Sequence, residues 1–106
     1  MDKAEFARYE AQAHIMKALA HPTRLFIAQQ LGQGEKCVCE LTEMVGADAS
    51  TISKHLSIMK NAGIVGYEKR GTSMYYTLKM KCVLKFFVCV NEVLKNRVES
   101  QILLTR

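Results

Sequence analysis

Two short helical patterns joined by four residues constrain this chain more than any other feature. The first runs from about Val38 to Val45, with Leu41, Met44 and Val45 apolar. The second runs to about Ala62, with Ile52, Leu56 and Met59 on its inner face and Gly63 as its stop. Gly46-Ala47-Asp48-Ala49 between them reads as a tight turn, and either Asp48 or Ser50 can cap the second helix. Ser, Thr, Lys and His fill the outer face of that second helix. The pair fits a helix-turn-helix over about 38–63.

The flanks complete the architecture. From about Lys3 to Ala20, Phe6, Tyr9, Ala13, Met16 and Ala20 mark one apolar face at helical spacing. His21-Pro22 breaks that helix, and Pro22 opens another that runs to about Leu31 before Gly32 and Gly34. After Gly63 the period changes. Ile64–Glu68 and Met74–Leu78 are rich in β-branched and aromatic residues, and Lys69-Arg70-Gly71-Thr72 between them makes a β-hairpin with a basic tip over about 64–78. A long helix then spans about 81–104. Its stripe of Val83, Phe87, Val90, Leu94 and Val98, widened by Leu84 and Val88, is broad enough to face both its own core and a second copy of the chain. The expected fold is one domain over 1–106, mainly α with a small β-hairpin: a winged helix-turn-helix that dimerises through its terminal helices.

Composition narrows the classes. The 106 residues suffice for one core, and a net charge of +5 suits a polyanionic partner. No apolar run is long enough to span a bilayer, and Met1-Asp2-Lys3-Ala4-Glu5 has no signal-peptide core. The expected location is therefore cytoplasmic, with no membrane partner. There the four cysteines stay reduced, which favours ligand or redox roles over structural disulfides.

Five segments, in order, carry a resemblance: Leu19-Ala20-His21-Pro22-Thr23-Arg24-Leu25, Cys37-Val38-Cys39-Glu40-Leu41, Ser50-Thr51-Ile52-Ser53-Lys54-His55-Leu56, Lys60-Asn61-Ala62-Gly63-Ile64-Val65 and Gly71-Thr72-Ser73-Met74-Tyr75-Tyr76-Thr77-Leu78. Over roughly residues 15 to 80 the chain resembles the ArsR/SmtB family of metal-responsive repressors. The resemblance implies a homodimeric winged helix that sits on double-stranded operator DNA and leaves it when an effector binds. It implies no cofactor for DNA binding itself.

On the second helix of the helix-turn-helix, Thr51, Ser53, Lys54 and Ser57 are short or flexible enough to reach base edges, and His55 can donate to a phosphate or base; Thr51, Ser53, Lys54 and His55 are the expected base readers. Lys60 and the cap Ser50 are expected on phosphates, which hold register without reading sequence. Lys69 and Arg70 at the hairpin tip would lie along the flanking backbone or minor groove. A two-fold dimer should read a pseudo-palindrome with half-sites roughly 34–36 Å apart.

Cys37 and Cys39 precede a helix and follow Lys36, both of which favour thiolate, the form that binds soft ions. Successive residues at this helix start turn by about 100°, so the two sulfurs are expected to point to nearly opposite sides. They could then share an ion only if the first turn opened, in competition with a well-formed reading head. The resemblance adds that family members with this motif sense arsenite, antimonite, cadmium or lead through these cysteines. Arsenite-type members can carry a third cysteine three residues after the second; here that position is Thr42. The expected inducer is arsenite or antimonite, with Cd(II) or Pb(II) as the alternative.

Cys82 and Cys89 are the further candidate ligands. They stand about 10.5 Å apart along one helix, so only a site spanning two chains brings both to one ion. Cys82 sits at a helix start, and Cys89 between Val88 and Val90 reads as a core residue. Zinc and cobalt sensors of the family use His and carboxylates on the last helix, which here holds no His and only Glu92 and Glu99. The three histidines are His14, His21 and His55, and Cys-x-Cys does not match a zinc ribbon. A second chemistry is thiol oxidation by oxidants or reactive sulfur; a direct Cys37–Cys39 bridge is expected to be strained, so that route calls on Cys82 or Cys89. A thiol enzyme needs a Cys with a nearby base and a cleft; no Cys–His pairing is visible and the expectation is no enzyme.

Overall fold

The computed structural model describes the backbone of residues 1–105 and the side chains of residues 1–102. Five helices and a three-stranded sheet follow in the order α1 (Lys3–Leu19), α2 (Pro22–Leu31), β1 (Lys36–Cys37), α3 (Val38–Val45), α4 (Ala49–Asn61), β2 (Val65–Arg70), β3 (Ser73–Leu78) and α5 (Val83–Thr105). The helix ends are set by local chemistry. Asp2 caps α1 by accepting the Glu5 N–H at 2.8 Å. His21 takes an extended backbone and accepts the Thr23 N–H on Nδ1 at 3.1 Å, so Pro22 falls at the first position of α2, where its missing N–H costs nothing. Asp48 rather than Ser50 caps α4, accepting from Thr51 N–H, while Ser50 Oγ donates to the same carboxylate.

Gly46 ends α3 with φ +79°, a left-handed conformation that a side chain would disfavour. It lets the chain reverse in three residues, so α3 packs across α4 as a helix-turn-helix. Ile52, Leu56 and Met59 of α4 are fully buried against Leu41 of α3, Ile27 of α2 and Ile64. Each such burial contributes about 1.5–3 kcal/mol. The hairpin follows as expected, with Tyr67 opposite Tyr76 and Arg70 opposite Ser73 in an antiparallel register. Gly71, at φ +62°, forms its tip.

One element lies outside the sequence reading. Lys36 and Cys37 form a third strand, pairing antiparallel with Tyr76 and Tyr75, and the sheet order is β1-β3-β2. The segment that carries the thiols is thus stitched directly to the wing.

The long last helix divides where its stripe divides. Val83 and Phe87 enter the core, whereas every residue from Val88 to Ile102 is exposed on the single chain. Phe6, Tyr9 and Met16 of α1 are exposed too. Between α1, α2 and α5 lies an apolar groove of about 420 Å³ whose walls include Met16, Leu25, Phe86 and Leu94. Cys89, expected in the core, is exposed: it lies beyond the point at which α5 leaves its own domain. No described helix is long and apolar enough to cross a membrane.

Candidate functional site

Cys37 is not a residue of α3 but its N-cap, with an extended backbone at φ −77° and ψ 160°. Its Sγ accepts the Glu40 N–H at 3.2 Å, and the Glu40 carboxylate reaches back to accept the Cys37 N–H at 3.1 Å. That is a capping box in which a sulfur does the work usually done by a hydroxyl. Two expectations fall with this observation. The two sulfurs do not point to opposite sides, because only Cys39 lies inside the helix. Nor does a bridge have to call on Cys82 or Cys89: the Cα atoms of Cys37 and Cys39 are 5.2 Å apart, within the span of a disulfide, and the structure joins the two.

Cys37 is buried, and Cys39 is exposed at the start of α3. The pair therefore has a wet face and an inner face lined by a helix N-terminus. Once reduced, the pair offers two converging sulfurs at the N-terminus of α3. Thr42, the position at which the resemblance would put a third sulfur, donates its hydroxyl to the Val38 carbonyl at 2.7 Å. Cys82 and Cys89 are free, exposed thiols. Among the described residues, no three His, Cys, Asp or Glu side chains group in a way that could hold a metal ion.

On α4, Ser50, Thr51, Ser53, Lys54 and Ser57 are exposed along one side, the opposite of the Ile52, Leu56 and Met59 face. His55 differs. It is half-buried between α4 and α2, its Nδ1 accepts the Arg24 Nε–H at 3.0 Å, and its ring lies 4.5 Å from that of His21. Burial, the His21 ring, Arg24 and Lys54, in that order, hold its imidazole below the ordinary value. Lys60 places its ammonium 4.9 Å over the Tyr67 ring, tying the end of α4 to β2.

The wing tip is less free than its sequence suggests. Lys69 is exposed, but Arg70 makes a two-pronged ion pair with Glu35, donates to Glu68 at 3.1 Å and lies over the Tyr75 ring at 4.8 Å. The Arg70 hydrogen bonds lower the Glu35 carboxyl pKa. Glu35 sits two residues before Cys37, so the same short segment holds both the wing arginine and the buried thiol. Sequence reasoning missed Glu35, Glu40 and Arg24. Glu40 alone left a local signal, the three-residue spacing of a capping box; Arg24 and Glu35 act across 31 and 35 residues of chain.

Comparison with known proteins places this geometry. Residues 21–67 match the model described as bacterial regulatory protein, arsR family. An uncharacterized HTH-type transcriptional regulator of Methanocaldococcus jannaschii is 39% identical over 87 residues, covering 81% of this chain and 98% of its own length. The arsenical resistance operon repressor of Bacillus subtilis is 42% identical over 77 residues, covering 72% of this chain and 71% of its own. The homodimeric winged helix-turn-helix DNA-binding domain of a possible ArsR-family regulator from Mycobacterium bovis superposes with a TM-score of 0.78 at 30% identity, covering 94% of this chain and 93% of that one.

Proposed function

This chain belongs to the ArsR family of DNA-binding transcriptional repressors, and from that premise we propose that a soft metal(loid) bound by Cys37 and Cys39 releases it from its operator. The observation that carries the reading is the sulfur-capped start of α3. An ion on Cys37 draws on the same lone pairs that accept the Glu40 N–H. Binding therefore loosens the first turn of α3, which packs on α4, and tugs on β1, which pairs with the wing. Ligand and reading head compete through the cap, without the whole turn having to open.

The donor set favours arsenite or antimonite. Arsenous acid can condense with two thiols, forming two As–S bonds and releasing two waters, and keep one hydroxyl as its third ligand. Two sulfurs then suffice and Thr42 needs no replacement. Cd(II) or Pb(II) would need further donors, which Cys82 or Cys89 of a partner chain could supply. Thr51, Ser53, Lys54 and Ser57 read bases, Ser50, Lys60 and Lys69 hold phosphates, and a second copy covers the exposed faces of α1 and α5.

The test is a titration of a duplex selected from random-sequence DNA by the reduced protein, with arsenite, antimonite, Cd(II) and zinc, on wild type and each Cys→Ser variant. Release by arsenite that is lost in Cys37→Ser and Cys39→Ser supports the site. Full inducibility in the double variant sinks it.

The Cys37–Cys39 bridge favours a second reading: two thiols give two electrons and two protons to a peroxide, closing the disulfide and forming water. Release by peroxide alone, reversed by dithiothreitol and insensitive to arsenite, would select it.

A further inference from the structure

We propose that Arg24 is a positioning residue for DNA reading: its Nε–H holds His55 as the Nε2–H tautomer and thereby fixes α4 against α2. The inference rests on α4 being the reading helix. A nitrogen that accepts a hydrogen bond carries no proton, so Arg24 Nε at 3.0 Å from His55 Nδ1 leaves Nε2 as the protonated nitrogen. The contact joins the first turn of α2 to the middle of α4, far apart in sequence. The His21 ring, at 4.5 Å and tilted by 48°, closes the other side of the imidazole. His21 is itself fixed, because it caps α2 through Thr23 N–H.

The groups facing His55 are therefore His21 and Arg24 from the start of α2 and Lys54 from its own helix. All three disfavour a positive charge on His55. A second proton on His55 would remove the acceptor that Arg24 uses and add a like charge among them. His55 lies on α4 between the exposed Lys54 and the buried Leu56, so the hydrogen bond from Arg24 ties the edge of the exposed face to α2. An arginine serves here because Nε is a donor set back along the fork, near the stem.

The experiment combines ring nitrogen NMR with DNA binding. In the wild type near neutral pH, His55 should show an unprotonated Nδ1 and a protonated Nε2. Finding Nδ1–H, or an imidazolium, overturns the proposal without any variant. Arg24→Met should mix the tautomers and weaken binding to the selected duplex by about tenfold, the worth of one charged hydrogen bond, with much less effect on a random duplex. His55→Asn offers an acceptor where Nδ1 stood and should stay within about threefold of wild type, whereas His55→Gln, which mimics Nε2, should fall with Arg24→Met. The reverse order would make His55 a direct DNA contact and sink the proposal. Equal weakening on both duplexes would make Arg24 a phosphate contact and also sink it. Lys54→Ala and Ser57→Ala separate the two levels. If they weaken binding and Arg24→Met does not, the Arg24 role alone fails; if none of the three matters, the reading of α4 fails and takes the proposal with it.

Discussion

At the scale of the residue, Cys37 has two duties that substitution can separate. It caps α3 with a sulfur, and its thiol is the candidate ligand. Serine is a strong N-cap and lacks the soft donor, so Cys37→Ser should keep or slightly raise stability while abolishing induced release. Cys37→Ala removes both and should cost about 1 kcal/mol in urea unfolding of the reduced protein. Equal stability of the two variants would show that the cap contributes nothing. His55 makes a prediction of opposite character, read in pH. Its folded value is depressed, so the unfolded chain takes the proton more readily and folding loses stability as the proton binds. The contribution is complete above the ordinary value of 6.5 and is lost as pH falls through the lower folded value. Melting temperature should therefore drop as pH falls below 6.5, and His55→Asn should flatten that drop. The carboxylates with lowered values, Glu35 and Asp48, act further into acid, below 4.5 and 3.8 respectively.

At the scale of the element, the wing is held in reserve by its neighbour. Arg70 is committed to Glu35 and Glu68 and stacks on Tyr75, so it reaches a phosphate only by giving up those partners. Glu35→Gln should free it. Non-specific DNA affinity should rise, and its dependence on salt should steepen by about 0.9 in the log–log slope for one added phosphate contact. An unchanged slope would place Arg70 away from DNA in both proteins. Periodicity in the sequence made the helices and hairpin legible to within two residues at most ends, because each repeats its pattern over several turns or pleats. β1 was not legible, because two residues carry no period. The sulfur cap was half-legible: Cys37-Val38-Cys39-Glu40 has capping-box spacing, but with cysteine where serine or threonine is usual. Arg24–His55 and Glu35–Arg70 left no trace, since each pairs residues that only the fold brings together.

At the scale of the whole molecule, the exposed halves of α1 and α5 decide what the chain can do on DNA. A helix whose residues from Val88 to Ile102 are all exposed, with Val90, Leu94 and Val98 among them, has no reason to persist alone in water. The apolar groove between α1, α2 and α5, with Val90 and Leu94 in its wall, is where a second copy would sit in the proposed dimer, and the related Mycobacterium bovis domain is homodimeric. Two chains at +5 each would carry +10, and a two-fold frame would put two α4 helices on one duplex. Each chain alone then makes only half the phosphate and base contacts. Leu94→Glu places a carboxylate on the wall of the groove, where pairing the chains would bury it without a partner. Sedimentation should show a monomer, and affinity for the selected duplex should fall by at least about a hundredfold as linked half-site binding is lost. The domain core, which Leu94 does not enter, should keep its helicity. A Leu94→Glu protein that stays dimeric would move the interface elsewhere; one that is monomeric yet binds as tightly would mean that a single α4 suffices.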